Sequence, residues 1–534
     1  MLKPLEVLKL YGSHEGTISS VLKRRVEKIP NKEFLLYQGQ SFNYAQTHHF
    51  VERTAAYLSS IGVKRTSKVA VMSLNHPSTV FTFFALASLG ATMVPINPEF
   101  GVEEVRYILN HSDVGGVICS PSVVSTIEGA WTDLPIKPWL MLNDTSEVTS
   151  AYLYLSQEVE RCKEIAPPST GQADDICVFI YTSGTTGYPK AVMHSQNNLV
   201  LAGEGFVERM YLQPEDRLLC VLPMFHVNAI FYSLSGSLSS GATLILEPKF
   251  SASKFWQIAK ETGATEVNTI AAASTILMKR PRSEYVSGHQ LRKMYGAPYD
   301  KETYRVYNDE FEMPYVIEGY GMSEIPGAMN NPFLGPHKIG AMGQPSRHPD
   351  PNISLAEAKV VDDEGNRVPT GEIGELVIKT PIVMKGYFKD IERTKESFKD
   401  GWFLTGDLVY VDEDNYFWFV ARKKDIIRKR GENISGAELD RVINNHPCVL
   451  ESASIPVPSE LGEDDIFVAV VIKDGMTLKH KEVAEWCRQH LAANKVPRYV
   501  AFVDQLPHTT THRIAKFKMK EDKNLRRLAV DLEA

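Results

Sequence analysis

The chain has 534 residues, 43% of them hydrophobic, and its 65 acidic and 58 basic residues leave a net charge of −7 at pH 7. This length exceeds what one hydrophobic core supports, so we expect a globular protein of at least two domains. The acidic balance argues against a general nucleic-acid binder, because such proteins need excess positive charge to pair with phosphates.

The sequence predicts neither a secretory signal nor a membrane span. The first residues lack a long apolar core followed by a small-residue cleavage site, so a secretory signal is not expected. The apolar residues 80–96 include Ser, Thr, Gly and Pro, which suits a buried helix followed by a strand better than a membrane span. The six cysteines are scattered, without CxxC or metal-ligand spacing, which indicates free thiols and a cytoplasmic protein.

Between about residues 45 and 350, helical patterns alternate with short β-branched runs. Such alternation is typical of an α/β fold whose strands are largely parallel and buried. The predicted strands include residues 69–72, 176–181, 242–246 and 315–317.

The sequence pattern changes from α/β alternation to strands and turns after about residue 353. Up to residue 421 the pattern predicts hairpins, with turns at 362–365 and 412–415. Beyond residue 422 we expect a small α+β domain of about 110 residues, a common domain size. Its predicted elements are a helix at 436–447, a strand at 466–472 and a helix at 481–491.

The segment YTSGTTGYPKAV, residues 181–192, carries the strongest chemical signal. Its glycines let backbone N–H groups turn inward as an anion nest, its hydroxyls add donors, and Lys190 adds a positive charge. The segment predicts a phosphate-binding loop, with a plain hairpin turn as the alternative. It is not an ordinary P-loop, because that motif needs Gly-Lys-Ser/Thr at the start of a helix, and a strand-like segment follows here.

Four further motifs follow in order: EGYGMSE at 318–324, GEIGEL at 371–376, the segment 402–427 that begins WFLTGDL, and RGENISGAEL at 430–439. Together with the phosphate loop, they resemble the adenylate-forming acyl-CoA ligases, closest to the carnitine/crotonobetaine and fatty-acyl branch. The resemblance implies an α/β fold with a large N-terminal domain at 1–421, which includes a β-rich subdomain, and a small α+β C-terminal lid at 422–534.

The resemblance also implies a reaction in two halves. A carboxylic acid and ATP form an acyl-adenylate and pyrophosphate, and the thiol of coenzyme A then displaces AMP. ATP, Mg²⁺ and coenzyme A are the implied cofactors, and the partner is a small-molecule carboxylate. The enzyme's contribution would be electrostatic positioning of charged groups.

The resemblance assigns most site residues to ATP or AMP. Glu324 and Thr185 would hold Mg²⁺, which prefers oxygen ligands, and Glu324 is also assigned a catalytic role. Asp407 would bind the ribose, with Arg422 as the second contact. The full ATP/AMP set is Thr182, Ser183, Gly184, Thr185, Thr186, Gly187, Lys190, Gly296, Ala297, Glu318, Gly319, Tyr320, Gly321, Met322, Ser323, Asp407 and Arg422.

The remaining assignments concern the acid and the thiol. The acyl pocket would include His226, Asn228 and Gly321, and its small residues, among them Ala272 and Gly296, permit a bulky acid without requiring one. Lys424 would be the hinge between the domains. The predicted coenzyme A contacts are Arg428, Arg430, Gly431 and Glu432.

The chain departs from the family pattern near its C-terminus. Where relatives place a glycine and a catalytic lysine, this sequence has His512 and Arg513, with Lys516 three residues later. Alignment favours Arg513, whereas an ammonium fits better than a bulkier, planar guanidinium between two oxyanions, which favours Lys516. A third option is that the protein adenylates poorly.

Other functions remain open on sequence alone. They are a stand-alone adenylation enzyme that loads a carrier protein, a luciferase-type monooxygenase, and a non-catalytic nucleotide sensor. The sequence does not name the acid, and it leaves the oligomeric state open, with a homodimer among the options.

Overall fold

The structure is a computed structural model that describes residues 1–131, 134, 137–143, 152–182, 189–429, 432–459, 463–508 and 514–533, with only the backbone of 424, 432 and 433. The chain forms two compact units. The first comprises residues 1–358 and 378–403, and the second comprises residues 359–377 and 404–534. The predicted domain boundary at 421/422 stays a prediction.

The elements up to residue 358 form two sheets and the helices that cover them. The strands are β1 Glu33–Tyr37, β2 Gln40–Asn43, β3 Lys68–Met72, β4 Thr92–Ile96, β5 Gly116–Cys119, β6 Trp139–Leu142, β7 Leu153–Tyr154, β8 Ile176–Thr182, β9 Lys190–Ser195, β10 Arg217–Cys220, β11 Thr243–Leu246, β12 Glu266–Asn268, β13 Lys293–Gly296, β14 Tyr315–Met322, β15 Ile325–Asn330 and β16 Gln344–Pro345. The α-helices are α1 Pro4–Lys9, α2 Ile18–Lys28, α3 Tyr44–Ser60, α4 Pro77–Ser88, α5 Val102–Ser112, α6 Val124–Trp131, α7 Leu155–Arg161, α8 Gln196–Met210, α9 Ser235–Ser240, α10 Phe255–Thr262, α11 Ala271–Lys279 and α12 Lys301–Arg305. Two π-helical segments, Asn228–Leu234 and Val306–Glu310, interrupt this pattern.

One sheet of the first unit has seven strands in the order β7-β6-β5-β3-β4-β8-β9. Its neighbours run parallel except for the antiparallel pair β8 and β9. Helix α4 packs against strands β4 and β8 of this sheet. Every residue from Thr79 to Ala87 is buried, as expected for a helix that is apolar on all sides. This helix and strand β4 confirm the prediction for residues 80–96.

The other sheet has nine strands in the order β16-β15-β14-β13-β12-β10-β11-β1-β2. Its central strands, from β14 to β1, are all parallel, and the antiparallel strands lie at the two ends. The predicted α/β alternation with largely parallel strands is therefore confirmed. The strand predicted at 315–317 is longer than expected and continues through Met322, so it carries most of the EGYGMSE motif.

From residue 357 onward, short strands and helices follow. The strands are β17 Glu357–Val361, β18 Gly374–Lys379, β19 Phe398–Lys399, β20 Trp402–Val411, β21 Phe417–Arg422, β22 Ile426–Lys429, β23 Glu432–Ser435, β24 Val449–Pro458, β25 Asp464–Ile472, β26 Tyr499–Phe502 and β27 Val530–Asp531. The α-helices are α13 Ile391–Glu396, α14 Gly436–Asn444, α15 His480–His490, α16 Lys516–Glu521 and α17 Lys523–Arg527. The hairpin β20–β21, with its turn at Asp412, confirms the hairpin predicted there. Helix α13 was not predicted.

The second unit ends in a sheet of order β24-β25-β26-β27 with an apolar cluster on each face. Alternate residues of β25 face opposite sides, so Val468 joins α14 and α15 while Phe467 joins α16 and α17. The predicted helix, strand and helix are thus present as α14, β25 and α15.

Two further observations bear on the expectations above. All six cysteines are free thiols. Within the described ranges, none of the helices combines the length and apolarity needed to cross a membrane.

Candidate active site

The predicted phosphate loop joins two antiparallel strands. Residues 183–188, which include Ser183, Gly184, Thr185, Thr186 and Gly187, lie outside the described residues. At the base of the loop, Thr182 of β8 pairs with Lys190 of β9. The Lys190 Nζ lies 4.7 Å from the centre of the Tyr387 ring, within cation–π range. Lys190 therefore lies against Tyr387, and its role as a phosphate counter-charge stays a prediction.

Tyr387 also contacts the predicted metal ligand. Its hydroxyl donates a 2.7 Å hydrogen bond to Oε1 of Glu324, and both side chains are buried. Burial, with the nearby Glu324 charge, raises the pKa of Tyr387, so the phenol keeps its proton and remains the donor. One residue outside the recognised motifs thus connects Lys190 with Glu324.

His194 hydrogen-bonds to the backbone of the turn between β14 and β15 and so holds this turn in place. The His194 Nε2 lies 2.6 Å from the carbonyl oxygen of Ser323, and Asn198 Nδ2 lies 3.0 Å from His194 Nδ1. Burial lowers the pKa of His194 to about 4, so its ring is neutral near pH 7. A carbonyl can only accept, so Nε2 carries the proton and Nδ1 accepts from Asn198. This relay fixes the backbone next to Glu324.

Glu318 is buried, and its carboxyl accepts hydrogen bonds from three neighbouring groups. Its carboxyl accepts from the backbone N–H of Tyr299 at 2.9 Å, from the N–H of Gly340 at 2.8 Å and from the Tyr304 hydroxyl at 3.2 Å. Burial raises its pKa to about 7, against these hydrogen bonds, which lower it. Because it contacts Tyr299, Glu318 holds the segment that follows Gly296 and Ala297.

The predicted acyl-pocket residues lie around a π-helix. His226 precedes this helix and Asn228 begins it. Helices of this kind are rare and are often found at functional sites. The Asn228 Oδ1 is buried and has no hydrogen-bond partner among the described residues, so a polar group of a substrate would satisfy it.

Asp407 and Arg422 face each other in the second unit. They are register partners on β20 and β21, and the Arg422 Nε lies 3.1 Å from Asp407 Oδ1. Asp407 is only 1% exposed, and the ion pair with Arg422 fixes the position of its carboxylate. The two predicted ribose contacts are thus brought together.

In the basic run from residue 422 to 430, the described lysines Lys423 and Lys429 lie close to acidic side chains. Lys423 pairs with Asp363 at 2.8 Å and with Glu375 at 3.2 Å, and the buried Lys429 lies 3.5 Å from Asp465. Arg428 is exposed on β22. Arg430, Gly431 and the side chains of Lys424 and Glu432 lie outside the described residues.

Lys516 begins helix α16 and forms an ion pair with Asp440. Its Nζ lies 2.5 Å from Asp440 Oδ2 on α14, and both side chains are less than one-fifth exposed. The other Asp440 oxygen accepts from the Ser454 N–H at 2.6 Å. Burial raises the pKa of Asp440, against the Lys516 charge, which lowers it. Arg513 lies outside the described residues.

Comparison with known proteins shows which family this chain belongs to. Residues 22–388 match the model described as AMP-binding enzyme, and residues 438–513 match the AMP-binding enzyme C-terminal domain. The chain belongs to the AMP-binding enzyme family.

Relatives of this AMP-binding enzyme match it along nearly their whole length. The oxalate–CoA ligase of Arabidopsis thaliana is 30% identical, with 94% of this chain and 97% of that protein covered. The crotonobetaine/carnitine–CoA ligase of Shigella flexneri is also 30% identical, with 90% and 93% covered. Among solved structures, ATP-bound MatB from Rhodopseudomonas palustris has a TM-score of 0.83 at 27% identity, with 94% and 98% covered.

These findings confirm the predicted family and the fold with a large N-terminal and a small C-terminal domain. They also confirm the enzyme class, an AMP-forming acyl-CoA synthetase. The roles of individual residues stay predictions. Sequence reasoning missed Tyr387, His194 and Asn198, because each lies outside the catalytic residues of the motifs and acts through contacts that the sequence does not reveal.

Proposed function

We propose that this AMP-binding enzyme, an AMP-forming acyl-CoA ligase, activates a carboxylic acid with MgATP and transfers the acyl group to coenzyme A in the cytoplasm. The observation that carries the residue assignments is the Tyr387 contact to both Lys190 and Glu324. Two motifs that are far apart in the sequence thereby meet at one point. A positive charge and a carboxylate in one place are what a metal-bound phosphate chain requires.

In the first half-reaction, the acid's carboxylate oxygen attacks the α-phosphorus of ATP and pyrophosphate leaves. Lys190 and the 183–187 loop bind the leaving phosphates, and Asp407 accepts from the ribose hydroxyls. The buried Glu324 carboxylate fits Mg²⁺, because its oxygens are of the type the ion prefers and Tyr387 fixes their orientation. Bound there, Mg²⁺ would neutralise phosphate charge. In the second half-reaction, the coenzyme A thiolate attacks the acyl carbon and AMP leaves.

Arg513 is the better candidate for the cation at the α-phosphate. To act there, Lys516 would have to leave Asp440 and strand a largely buried carboxylate, and breaking such a pair costs about 3–5 kcal/mol when burial is complete. This reverses the preference for Lys516 that charge shape alone suggested. Lys516 would instead tie α16 to α14.

Single-turnover pyrophosphate release separates the two cations. Arg513→Ala should lose about 10²–10³ in rate, the usual effect of removing a preorganised charge, whereas Lys516→Ala should lose much less in the fraction that remains folded. The reverse result would return the role to Lys516, and no loss in either variant would refute both assignments.

The overall function is tested by product analysis. The protein, ATP, Mg²⁺, coenzyme A and a panel of acids should yield AMP and an acyl-CoA thioester without any carrier protein. Formation of an acyl-adenylate that only a carrier-protein thiol can discharge would favour the carrier-loading alternative. ATP binding without turnover of any acid would favour a nucleotide sensor.

A further inference from the structure

A cavity lies against the first residues of strand β14, the strand that carries most of the EGYGMSE motif. Its volume is about 250 Å³, and it is open to solvent on one side. All its lining residues belong to the first unit, and they include none of the residues assigned to ATP, the acid or coenzyme A. Among them, Tyr304, Val316, Ile317 and Phe333 are buried, Tyr315 is half-buried, and His337 is exposed at the rim.

Ring contacts hold the aromatic walls of this cavity in place. The Phe333 ring stacks on Tyr315 at 4.6 Å and on Tyr211 at 5.5 Å between ring centres. The Tyr304 ring meets the His337 ring edge to face at 5.7 Å. Stacked and edge-to-face pairs are the favoured geometries of aromatic rings. The walls are therefore formed by the protein's own packing, and a ligand would not have to order them.

The lining indicates which class of molecule the cavity suits. None of the described residues that line it is lysine, arginine, aspartate or glutamate, so a charged ligand would lose its hydration without gaining a partner charge. Apolar cavities of about 150 Å³ are large enough to bind benzene. A neutral planar molecule of one or two fused rings therefore matches both the volume and the aromatic walls. Asn308 and His337 at the rim can hydrogen-bond to a polar edge of such a molecule.

Tyr304 connects the cavity with the predicted ATP site. Its ring lines the cavity, and its hydroxyl donates to Oε2 of Glu318 at 3.2 Å. The same oxygen accepts the N–H of Gly340, which follows the lining residue Ile339, at 2.8 Å. Two of the three donors that hold the Glu318 carboxyl thus belong to the cavity wall or adjoin it. Glu318 is followed directly by Gly319 and Tyr320, which are predicted to contact ATP or AMP.

We propose that this cavity is a regulatory site for a neutral planar aromatic molecule of one or two rings, and that its occupation tightens ATP binding through Tyr304 and Glu318. A ligand packed on the Tyr304 ring restricts the motion of the group that holds Glu318, so ATP then binds to a strand that is already ordered. Linkage requires ATP to tighten the binding of the aromatic molecule by the same factor. The coupling half of this inference rests on the proposed function, whereas the binding half does not.

Binding is tested with indole, which has two fused rings, is neutral and lacks a carboxyl group that the enzyme could activate. Ligand-observed NMR titration of the full-length protein should show saturable binding. Tyr315→Ala removes one ring of the wall and should weaken indole binding at least tenfold. The matched control is Tyr410→Ala in the second unit, another half-buried tyrosine stacked on a ring, that of Trp418 at 6.1 Å. It should leave indole binding unchanged.

Coupling is tested by measuring the Kd for ATP with and without saturating indole. In the wild type, indole should tighten ATP binding about fivefold or more, the lower end of usual allosteric couplings. Tyr304→Phe keeps the ring but removes the hydroxyl that donates to Glu318. This variant should still bind indole, and its ATP affinity should no longer respond to indole.

Several results would overturn the inference and leave the proposed function intact. They are the absence of saturable indole binding to the wild type, equal weakening by Tyr315→Ala and Tyr410→Ala, and an ATP affinity that indole leaves unchanged or lowers. Indole binding that is weakened by His226→Ala but not by Tyr315→Ala would place indole in the predicted acyl pocket and would also overturn it. The proposed function is tested separately, because acid-dependent pyrophosphate exchange is measured without indole.

Discussion

At the scale of single residues, Tyr387 is the residue on which the proposed phosphate site depends most. Tyr387→Phe keeps the ring beneath Lys190 but removes the hydrogen bond to Glu324. Hydrogen bonds to charged groups contribute about 1.5–3 kcal/mol, so kcat/KM for MgATP should fall about 10- to 100-fold, with a higher Mg²⁺ requirement.

Pyrophosphate exchange titrated with Mg²⁺ checks this prediction. Tyr11→Phe is the control, because its buried hydroxyl donates to the Ser240 carbonyl in another part of the first unit. An unchanged Mg²⁺ requirement in Tyr387→Phe would remove the proposed positioning role.

Glu318 gives the site a pH dependence in stability. Its pKa is raised from 4.5 to about 7, so between these pH values the folded state holds a proton that the unfolded state has lost. The Glu318 contribution is therefore fully present below pH 4.5 and is lost as the pH rises to about 7. At 1.36 kcal/mol per pKa unit, the loss is at most about 3 kcal/mol.

Glu318→Gln does not titrate, so its thermal midpoint relative to the wild type should rise between pH 5 and pH 8. Thermal unfolding across this range measures the effect, with the exposed Glu164→Gln as control. A difference between Glu318→Gln and wild type that stays constant with pH would contradict the raised pKa.

At the scale of elements, the Lys516–Asp440 pair joins α16 to α14. Each of Lys516→Met and Asp440→Asn should destabilise the second unit by about 2 kcal/mol, less than for a fully buried pair because both groups are partly exposed. The double variant should lose less than the sum, since neither charge is then left unpaired. A double-mutant cycle of unfolding free energies measures this coupling, and additive effects would show that the pair contributes nothing.

The hairpin of β22 and β23 is the predicted coenzyme A contact. Arg428→Glu combined with Arg430→Glu should raise the KM for coenzyme A several-fold, increasingly at low salt, because charge pairing with phosphates is screened by ions. Adenylation should be spared. The control is Arg526→Glu on α17 of the same unit. An unchanged coenzyme A dependence would remove this hairpin from the binding site.

At the scale of the whole molecule, periodicity was enough to predict the α/β sheets, the hairpins and the C-terminal α+β elements. Local patterns carry that information because side-chain alternation and apolar runs are set within a few residues. Sequence also proposed Glu324, Asp407 and Lys190 as site residues, and their roles stay predictions. Their supporting residues were not, because the Tyr387–Glu324 and His194–Ser323 contacts join residues 63 and 129 positions apart.

The acyl pocket shows the same limit most clearly. Small residues such as Gly296 and Gly321 permit a bulky acid without requiring one, because the volume above a glycine depends on which distant groups pack there. In this fold the Tyr299 hydroxyl fills the volume above Gly296, and the backbone of Gly327 fills the volume above Gly321. Lys516 is a second case, since sequence gave its charge but not its pairing with Asp440.

The most direct test of the central claim is acid-dependent exchange of labelled pyrophosphate into ATP by the purified full-length protein with Mg²⁺. We predict exchange with at least one carboxylic acid, and conversion of that acid to its CoA thioester with release of AMP when coenzyme A is added. Absence of exchange across the whole acid panel, from a protein that still binds ATP, would contradict the account.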